Sequence, residues 1–169
     1  MQAFLVLEDG SVYEGTAFGE AGESSGEVIF NTSITGYQEI IYDPSYKGQI
    51  VTMTYPLIGN YGINKEDMES RQPFLEGFVV KEYSKLASNW RKDQNLGEYL
   101  KENNIPAIEG VDTRKLTLHL REKGALKAVL STQDLNISSL INKAKKSKGL
   151  VGVDLVKDVT TDKKYIHAY

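Results

Sequence analysis

The chain has 169 residues, of which 40% are apolar and 25% are charged, so it has room for one globular domain with a buried core. Its 20 Lys and Arg side chains nearly balance 23 Asp and Glu side chains, and the resulting net charge of −3 argues against nucleic acid as a partner. The absence of cysteine excludes disulfides, thiolate metal sites and cysteine nucleophiles from these residues, and leaves two histidines, His119 and His167, for histidine chemistry.

The first half of the chain is predicted to be rich in strands. Ala3–Leu7 and Ser11–Ala17 flank an Asp9-Gly10 turn signal, which together predict a β-hairpin. The glycines of Gly19–Gly26 predict a flexible connection. Thr35–Tyr42 has a helical pattern that Asp43-Pro44 should end, because the residue before proline avoids the helical region. Three further segments are predicted to be strands: Glu27–Thr32, Gln49–Thr54 and Phe74–Lys81.

The second half mixes helices and short strands. Asp112 is a capping residue and Gly124 a terminator, so they predict a helix over Thr113–Lys123. Tyr55–Asn64 is predicted to be a loop that is long enough to carry function. The other predicted elements are helices at Leu96–Asn103 and Ser138–Ser147 and strands at Ala107–Glu109 and Ala125–Ser131.

This order of elements predicts a compact α/β domain with a strand-rich first half. Strands and helices do not alternate regularly, so a doubly wound nucleotide-binding fold is not favoured. Gly19–Gly26 has the wrong spacing for a phosphate-binding loop and does not open a helix. No apolar run approaches the roughly 18–20 residues that span a bilayer, so we expect a soluble, cytoplasmic protein without membrane contact.

Candidate catalytic and metal sites are sparse. His119 is expected on a helix face among leucines and His167 in the terminal tail, so each is interpreted as structural rather than as a metal ligand or triad member. Arg114 and Lys115 at the start of the helix capped by Asp112 could bind a carboxylate, although capping and surface charge explain them equally well. We therefore predict no catalytic residue and no metal site in this chain.

The segment Asn31–Asn64 is unusually dense in tyrosine and amide side chains. Tyrosines combine apolar area with a hydrogen-bonding tip, which suits an interface. The alternative is an ordinary loop with a few core tyrosines. The polar and aromatic residues concerned are Tyr37, Gln38, Ser45, Tyr46, Tyr55, Asn60, Tyr61 and Asn64.

Ordered motifs run through almost the whole chain. The most extended are Phe30-Asn31-Thr32-Ser33-Ile34-Thr35-Gly36-Tyr37-Gln38-Glu39-Ile40, Asp43-Pro44-Ser45-Tyr46, Thr54-Tyr55-Pro56-Leu57-Ile58-Gly59-Asn60-Tyr61-Gly62, Ala87-Ser88-Asn89-Trp90-Arg91 and Asp112-Thr113-Arg114-Lys115-Leu116-Thr117. On these motifs the sequence, up to about Thr161, resembles the N-terminal domain of the small, glutamine-hydrolysing chain of carbamoyl-phosphate synthase.

The resemblance implies a β/β/α domain of the swivelling type at residues 1–150, with 151–169 beginning a linker toward a glutamine amidotransferase domain that carries a Cys-His-Glu triad. It also implies that the Ser45 hydroxyl touches bound glutamine. The partners implied are glutamine, the amidotransferase domain and the large chain, where ATP and Mg²⁺ serve carbamoyl phosphate synthesis for pyrimidines and arginine. No cofactor is implied for this chain.

This chain would then dock the small chain onto the large chain and help to shape the glutamine site. Alone it would be inactive, because it lacks the cysteine nucleophile. Two other hypotheses stay open at this point. One is a free-standing module that binds a small ligand such as glutamine or a nucleotide. The other is a small hydrolase that uses a carboxylate.

Overall fold

A computed structural model describes residues 1–161, and seven of the nine strands in this part of the chain close into a barrel. In chain order the strands are β1 (Gln2–Leu7), β2 (Val12–Ala17), β3 (Glu23–Asn31), β4 (Gln49–Met53), β5 (Leu57–Ile58), β6 (Gly77–Val79), β7 (Glu82–Tyr83), β8 (Ala107–Glu109) and β9 (Leu126–Ser131). Around the barrel the order is β1-β2-β8-β6-β4-β3-β9, and β9 pairs again with β1. Strands β5 and β7 form a separate parallel pair.

The helices lie between and after these strands. They are α1 (Tyr37–Tyr42), α2 (Leu96–Glu102), α3 (Thr113–Lys123), α4 (Ile137–Lys146) and α5 (Val156–Val159), with 3-10 turns at Pro44–Tyr46 and Lys65–Asp67. The pairs β3–β4, β4–β6 and β6–β8 are parallel, whereas the other barrel pairs are antiparallel. Parallel neighbours need crossover connections, and α1 and α2 lie in two of them.

Alternation along the strands divides the core into layers. In β4, Ile50 belongs to the cluster that contains Leu5 and Leu130, while Val51 belongs to the cluster of α1 and α2. Helix α3 contributes Leu116 to the first of these clusters. Helix α4 packs on the outward side chains of β1 and β9. The α1 and α2 layer matters most below, because the candidate site lies at its edge.

Most of the predicted elements are confirmed. The hairpin, the strand Ala107–Glu109 and the helix Thr113–Lys123 are present, the last two with the predicted bounds. The prediction of a flexible connection through Gly26 is wrong, because β3 already begins at Glu23 and pairs with β9 along Glu23–Val28. Gly26 instead lets the backbone at Gly48 pass close to β3, since a Cβ on Gly26 would lie 2.6 Å from the carbonyl oxygen of Gly48.

The α/β class and the strand-rich first half are confirmed, since β1 to β7 all precede Ser84. The swivelling-type architecture and the division at residue 150 stay predictions. His167 and the end of the proposed linker lie outside the described residues. None of the helices in residues 1–161 is long and apolar enough to cross a membrane.

Candidate functional site

The turn that carries Ser45 is built by its own sequence. Helix α1 ends at Tyr42, and Pro44 then occupies the first position of a 3-10 turn, where its missing N–H costs nothing. The Asp43 carboxylate caps this turn by accepting a hydrogen bond from the Ser45 N–H at 2.8 Å. The predicted end of the helix at Asp43-Pro44 is therefore confirmed, and it leads directly into a defined turn.

Two contacts fix this turn against the barrel. The Asn31 amide at the end of β3 donates to the Tyr46 hydroxyl at 3.0 Å. The Lys47 ammonium pairs with Glu76 at 2.6 Å, just before β6, and both side chains are about 30% exposed. Because both neighbours of Ser45 on the C-terminal side are tied to different strands, the position of the Ser45 backbone is fixed.

The Ser45 side chain itself faces outward. The residue is exposed, and its hydroxyl makes no hydrogen bond within residues 1–161. A cavity of about 330 Å³ adjoins the turn, with Glu39, Tyr42, Pro44, Tyr46 and Glu69 in its wall, but Ser45 is not part of that wall. The Ser45 hydroxyl therefore lies beside this cavity and outside its wall.

A buried polar layer supports the turn from behind. The Tyr61 hydroxyl accepts hydrogen bonds from the Gly36 and Tyr37 N–H groups at 2.9 and 3.0 Å, where α1 begins. The Tyr37 ring stacks on Tyr61 with centroids 4.1 Å apart, and its hydroxyl donates to the Gly62 carbonyl at 2.7 Å. Burial raises the pKa of both phenols above its ordinary value, which for a tyrosine already lies well above neutral pH.

Gln38 makes the tightest link between α1 and the following loop. Its amide nitrogen donates to the Asn64 carbonyl at 2.6 Å, and its amide oxygen accepts from the Asn64 N–H at 2.9 Å. Both residues are buried. The side chain of Asn64 then caps the next 3-10 turn by accepting from the Glu66 N–H. This reciprocal pair locks the loop onto α1.

The interface hypothesis for Asn31–Asn64 is thus wrong for part of the segment. Tyr37, Gln38 and Asn64 are buried and bind their own chain, which agrees with the alternative of core tyrosines. Ser45, Tyr55, at 38% exposure, and Asn60 are the members that face solvent. Sequence alone does not separate these two groups, because tyrosine and amide side chains suit both a polar core and a surface.

His119 does not form a hydrolytic triad. Its Nε2 lies 2.6 Å from Asp9 Oδ2 and 3.5 Å from Ser11 Oγ, so acid and hydroxyl meet the same nitrogen, whereas a triad uses one ring nitrogen for each. Partial burial raises the pKa of Asp9, but hydrogen bonds from Ser11 and His119 outweigh it and leave it below its ordinary value. The contact fastens α3 to the hairpin turn.

The start of α3 shows capping and surface charge. Asp112 accepts from the Lys115 N–H at 2.9 Å, and the Lys115 ammonium lies 5.8 Å from the centre of the Tyr13 ring. Arg114 is exposed. Within residues 1–161 no three His, Asp or Glu side chains come together as metal ligands would.

The family of the chain follows from its sequence relatives. A family model described as "Carbamoyl-phosphate synthase small chain, CPSase domain" matches residues 5–130, which include the turn at Ser45 and the layer behind it. The chain belongs to this family. Its resemblance to carbamoyl-phosphate synthase small chains is thereby confirmed.

Individual small chains align with most or nearly all of this chain. The carbamoyl phosphate synthase small chain of Syntrophotalea carbinolica is 57% identical over 165 residues, which is 98% of this chain and 44% of the relative. The pyrimidine-specific small chain of Bacillus subtilis is 55% identical over 85% of this chain and 39% of the relative. The small chain of Aquifex aeolicus is 53% identical over 94% of this chain and 43% of the relative. The chain thus spans less than half the length of these relatives.

Solved structures give a weaker likeness. An aminopeptidase from Aneurinibacillus sp. strain AM-1 covers 76% of this chain and 30% of its own at a TM-score of 0.45 and 14% identity. A TM-score of 0.45 is too low to bear on the fold or the function of this chain.

Proposed function

We propose that this chain is the N-terminal, non-catalytic part of the small chain of a glutamine-dependent carbamoyl-phosphate synthase. The observation that carries the proposal is the match to the N-terminal 44% of a curated small chain at 57% identity. In this role the chain belongs to a ligase with glutaminase activity and does not itself hydrolyse glutamine. A cysteine nucleophile, if the whole small chain has one, lies outside these residues.

Ser45 is proposed to touch bound glutamine. Its fixed backbone and exposed hydroxyl support this role, since a hydroxyl can donate to the ligand or accept from it. The open surface around Ser45 fits a site whose other walls come from an amidotransferase domain of the same small chain. The ammonia released there would pass to the large chain, where ATP and Mg²⁺ bind and carbamoyl phosphate is made. This product would feed the pyrimidine and arginine pathways in the cytoplasm.

The loop 84–92 is proposed as a docking surface for the large chain. Trp90 is 92% exposed and Leu86 is 86% exposed, although both lie in a loop held by hydrogen bonds. The Ser88 N–H donates to the Asn60 carbonyl at 2.9 Å, and Arg91 pairs with Asp67 at 2.9 Å. An exposed tryptophan on a fixed loop is a typical anchor of a protein interface.

Binding of residues 1–169 to the large chain tests the proposed function. We expect a complex at micromolar concentration, and Trp90→Ala should weaken it about 30-fold if the side chain contributes about 2 kcal/mol as an interface anchor. Leu118→Ala is the matched control, because Leu118 is a 48% exposed apolar residue on α3. The absence of binding by the native chain would contradict an autonomous docking role, and equal loss in both variants would contradict this surface.

The isolated chain also separates the proposal from the alternatives. Ammonia release from glutamine above a no-protein control would favour an enzyme in its own right. Saturable heats with glutamine or a nucleotide in calorimetry would favour a free-standing ligand-binding module. The proposal expects neither from residues 1–169 alone.

Ser45→Ala in the complete small chain, assembled with the large chain, should raise the Michaelis constant for glutamine about 2- to 12-fold, since one hydrogen bond is worth about 0.5–1.5 kcal/mol net. Initial rates against glutamine concentration give this constant. Ser138→Ala on α4 is the control, because Ser138 is exposed on another side of the barrel. An unchanged constant in Ser45→Ala would show that Ser45 is a turn residue only.

A further inference from the structure

The segment that follows α4 returns to the turn that carries Ser45. At its start, the Leu150 N–H donates to the Glu27 carboxylate at 2.8 Å. Leu150 and Leu155 then cover Gly48, three residues after Ser45: a Cβ at position 48 would lie 2.5 Å from Leu150 Cδ2 and 3.6 Å from Leu155 Cδ1. Gly48 also has a φ of +81°, so both its conformation and its neighbours require glycine.

At its other end the same segment is held by Arg71. The guanidinium donates to the Asp158 carbonyl at 2.8 Å and to the Thr160 carbonyl at 2.9 Å. A planar fork of donors is well suited to two acceptors at once, which a lysine ammonium cannot match with the same rigidity. These carbonyls are at the C-terminal end of α5, where a positive charge is favourable.

Arg71 is in turn connected to α1 and the candidate site. Its guanidinium lies 5.7 Å from the centre of the Phe74 ring, and the Phe74 N–H donates to the Ile41 carbonyl of α1 at 3.1 Å. Glu69, two residues before Arg71, lines the cavity beside Pro44 and Tyr46. The segment 150–160 is therefore attached at Gly48 and at Arg71, and both attachments adjoin the Ser45 turn.

We propose that Arg71 is a positioning residue for glutamine use: by holding Asp158 and Thr160 it sets where the downstream part of the small chain leaves this domain relative to Ser45. The effect on glutamine use rests on the proposed function. A segment attached at two points has few orientations, whereas a segment attached only at Gly48 samples many. Without Arg71, the downstream part of the small chain would therefore be placed correctly against Ser45 less often.

The first test uses residues 1–169 and no glutamine. Arg71→Ala should make trypsin cleave after Lys157 about tenfold faster, because loss of two hydrogen bonds from a charged group raises the population of the detached segment. Arg71→Lys should lie between Arg71→Ala and the native chain. Arg121→Ala, which removes an exposed arginine from α3, is the matched control and should cleave at the native rate. Mass spectrometry identifies the fragment, and unchanged cleavage in Arg71→Ala would overturn the inference.

The second test uses the complete small chain with the large chain. Arg71→Ala should raise the Michaelis constant for glutamine about 3- to 10-fold, while synthesis from added ammonium stays at the native rate, because positioning affects the glutamine site alone. An unchanged constant in Arg71→Ala overturns the positioning role. Ser45→Ala run alongside distinguishes the two failures: if it raises the constant while Arg71→Ala does not, only this inference falls, and if neither does, the proposed glutamine contact falls as well.

Discussion

Gln38→Leu is expected to lower the free energy of unfolding by about 3 kcal/mol. Leucine fills a similar volume, but the N–H and C=O of Asn64 lose their partners in a buried place, and each buried unpaired group costs about 1–3 kcal/mol. Urea unfolding followed by far-UV circular dichroism measures the change. The loss should appear at any pH near neutrality, since neither group titrates there.

Gln133→Leu is the matched control for this variant. Gln133 is exposed, and its side chain makes no hydrogen bond within residues 1–161, so the same replacement should change stability by less than about 0.5 kcal/mol. If Gln38→Leu were equally mild, the amide pair with Asn64 would not be what holds the loop 61–64 on α1. The supporting layer behind the Ser45 turn would then rest on the tyrosines alone.

Local signals explain why much of the fold could be predicted. Asp112 and Gly124 act on their own neighbours, so both ends of α3 follow from a side-chain cap and a residue with a φ of +84°. The hairpin likewise follows from a turn signal between two short strands. Gly26 misled the prediction because a glycine that permits close approach of another backbone looks, in sequence, like one that permits a turn.

The candidate site divides in the same way. The Ser45 turn could be predicted from Asp43-Pro44 and from the family resemblance, because capping and the proline restriction are local. The hold of Arg71 on Thr160 joins residues 89 positions apart, and a lone arginine in a polar loop carries no signal of its partner. Similarly, the outward Tyr55 and the buried Tyr37 differ only in tertiary contacts, which their own type does not encode.

Gly15→Ala is expected to open the barrel between β2 and β8. Strands β2 and β8 share only two paired positions, Thr16 with Glu109 and Ala17 with Ile108, and Gly15 lies directly before them. A Cβ on Gly15 would overlap the Glu109 carbonyl oxygen and lie 2.8 Å from Ile108 Cγ1. A backbone oxygen that is part of a strand cannot move aside as a side chain does. The strands must separate, and overpacking of this kind costs about 2–3 kcal/mol.

For a chain of this length we expect the midpoint of thermal unfolding to fall by about 5–10 °C in Gly15→Ala. Gly22→Ala is the matched control, because a Cβ at Gly22 has no atom within 4 Å and the φ there is not in the left-handed region. That variant should be neutral or slightly more stable, since alanine reduces the freedom of the unfolded chain. A Gly15→Ala midpoint equal to that of Gly22→Ala would mean that β2 and β8 do not approach this closely. The barrel would then close without the backbone contact that makes glycine necessary at position 15.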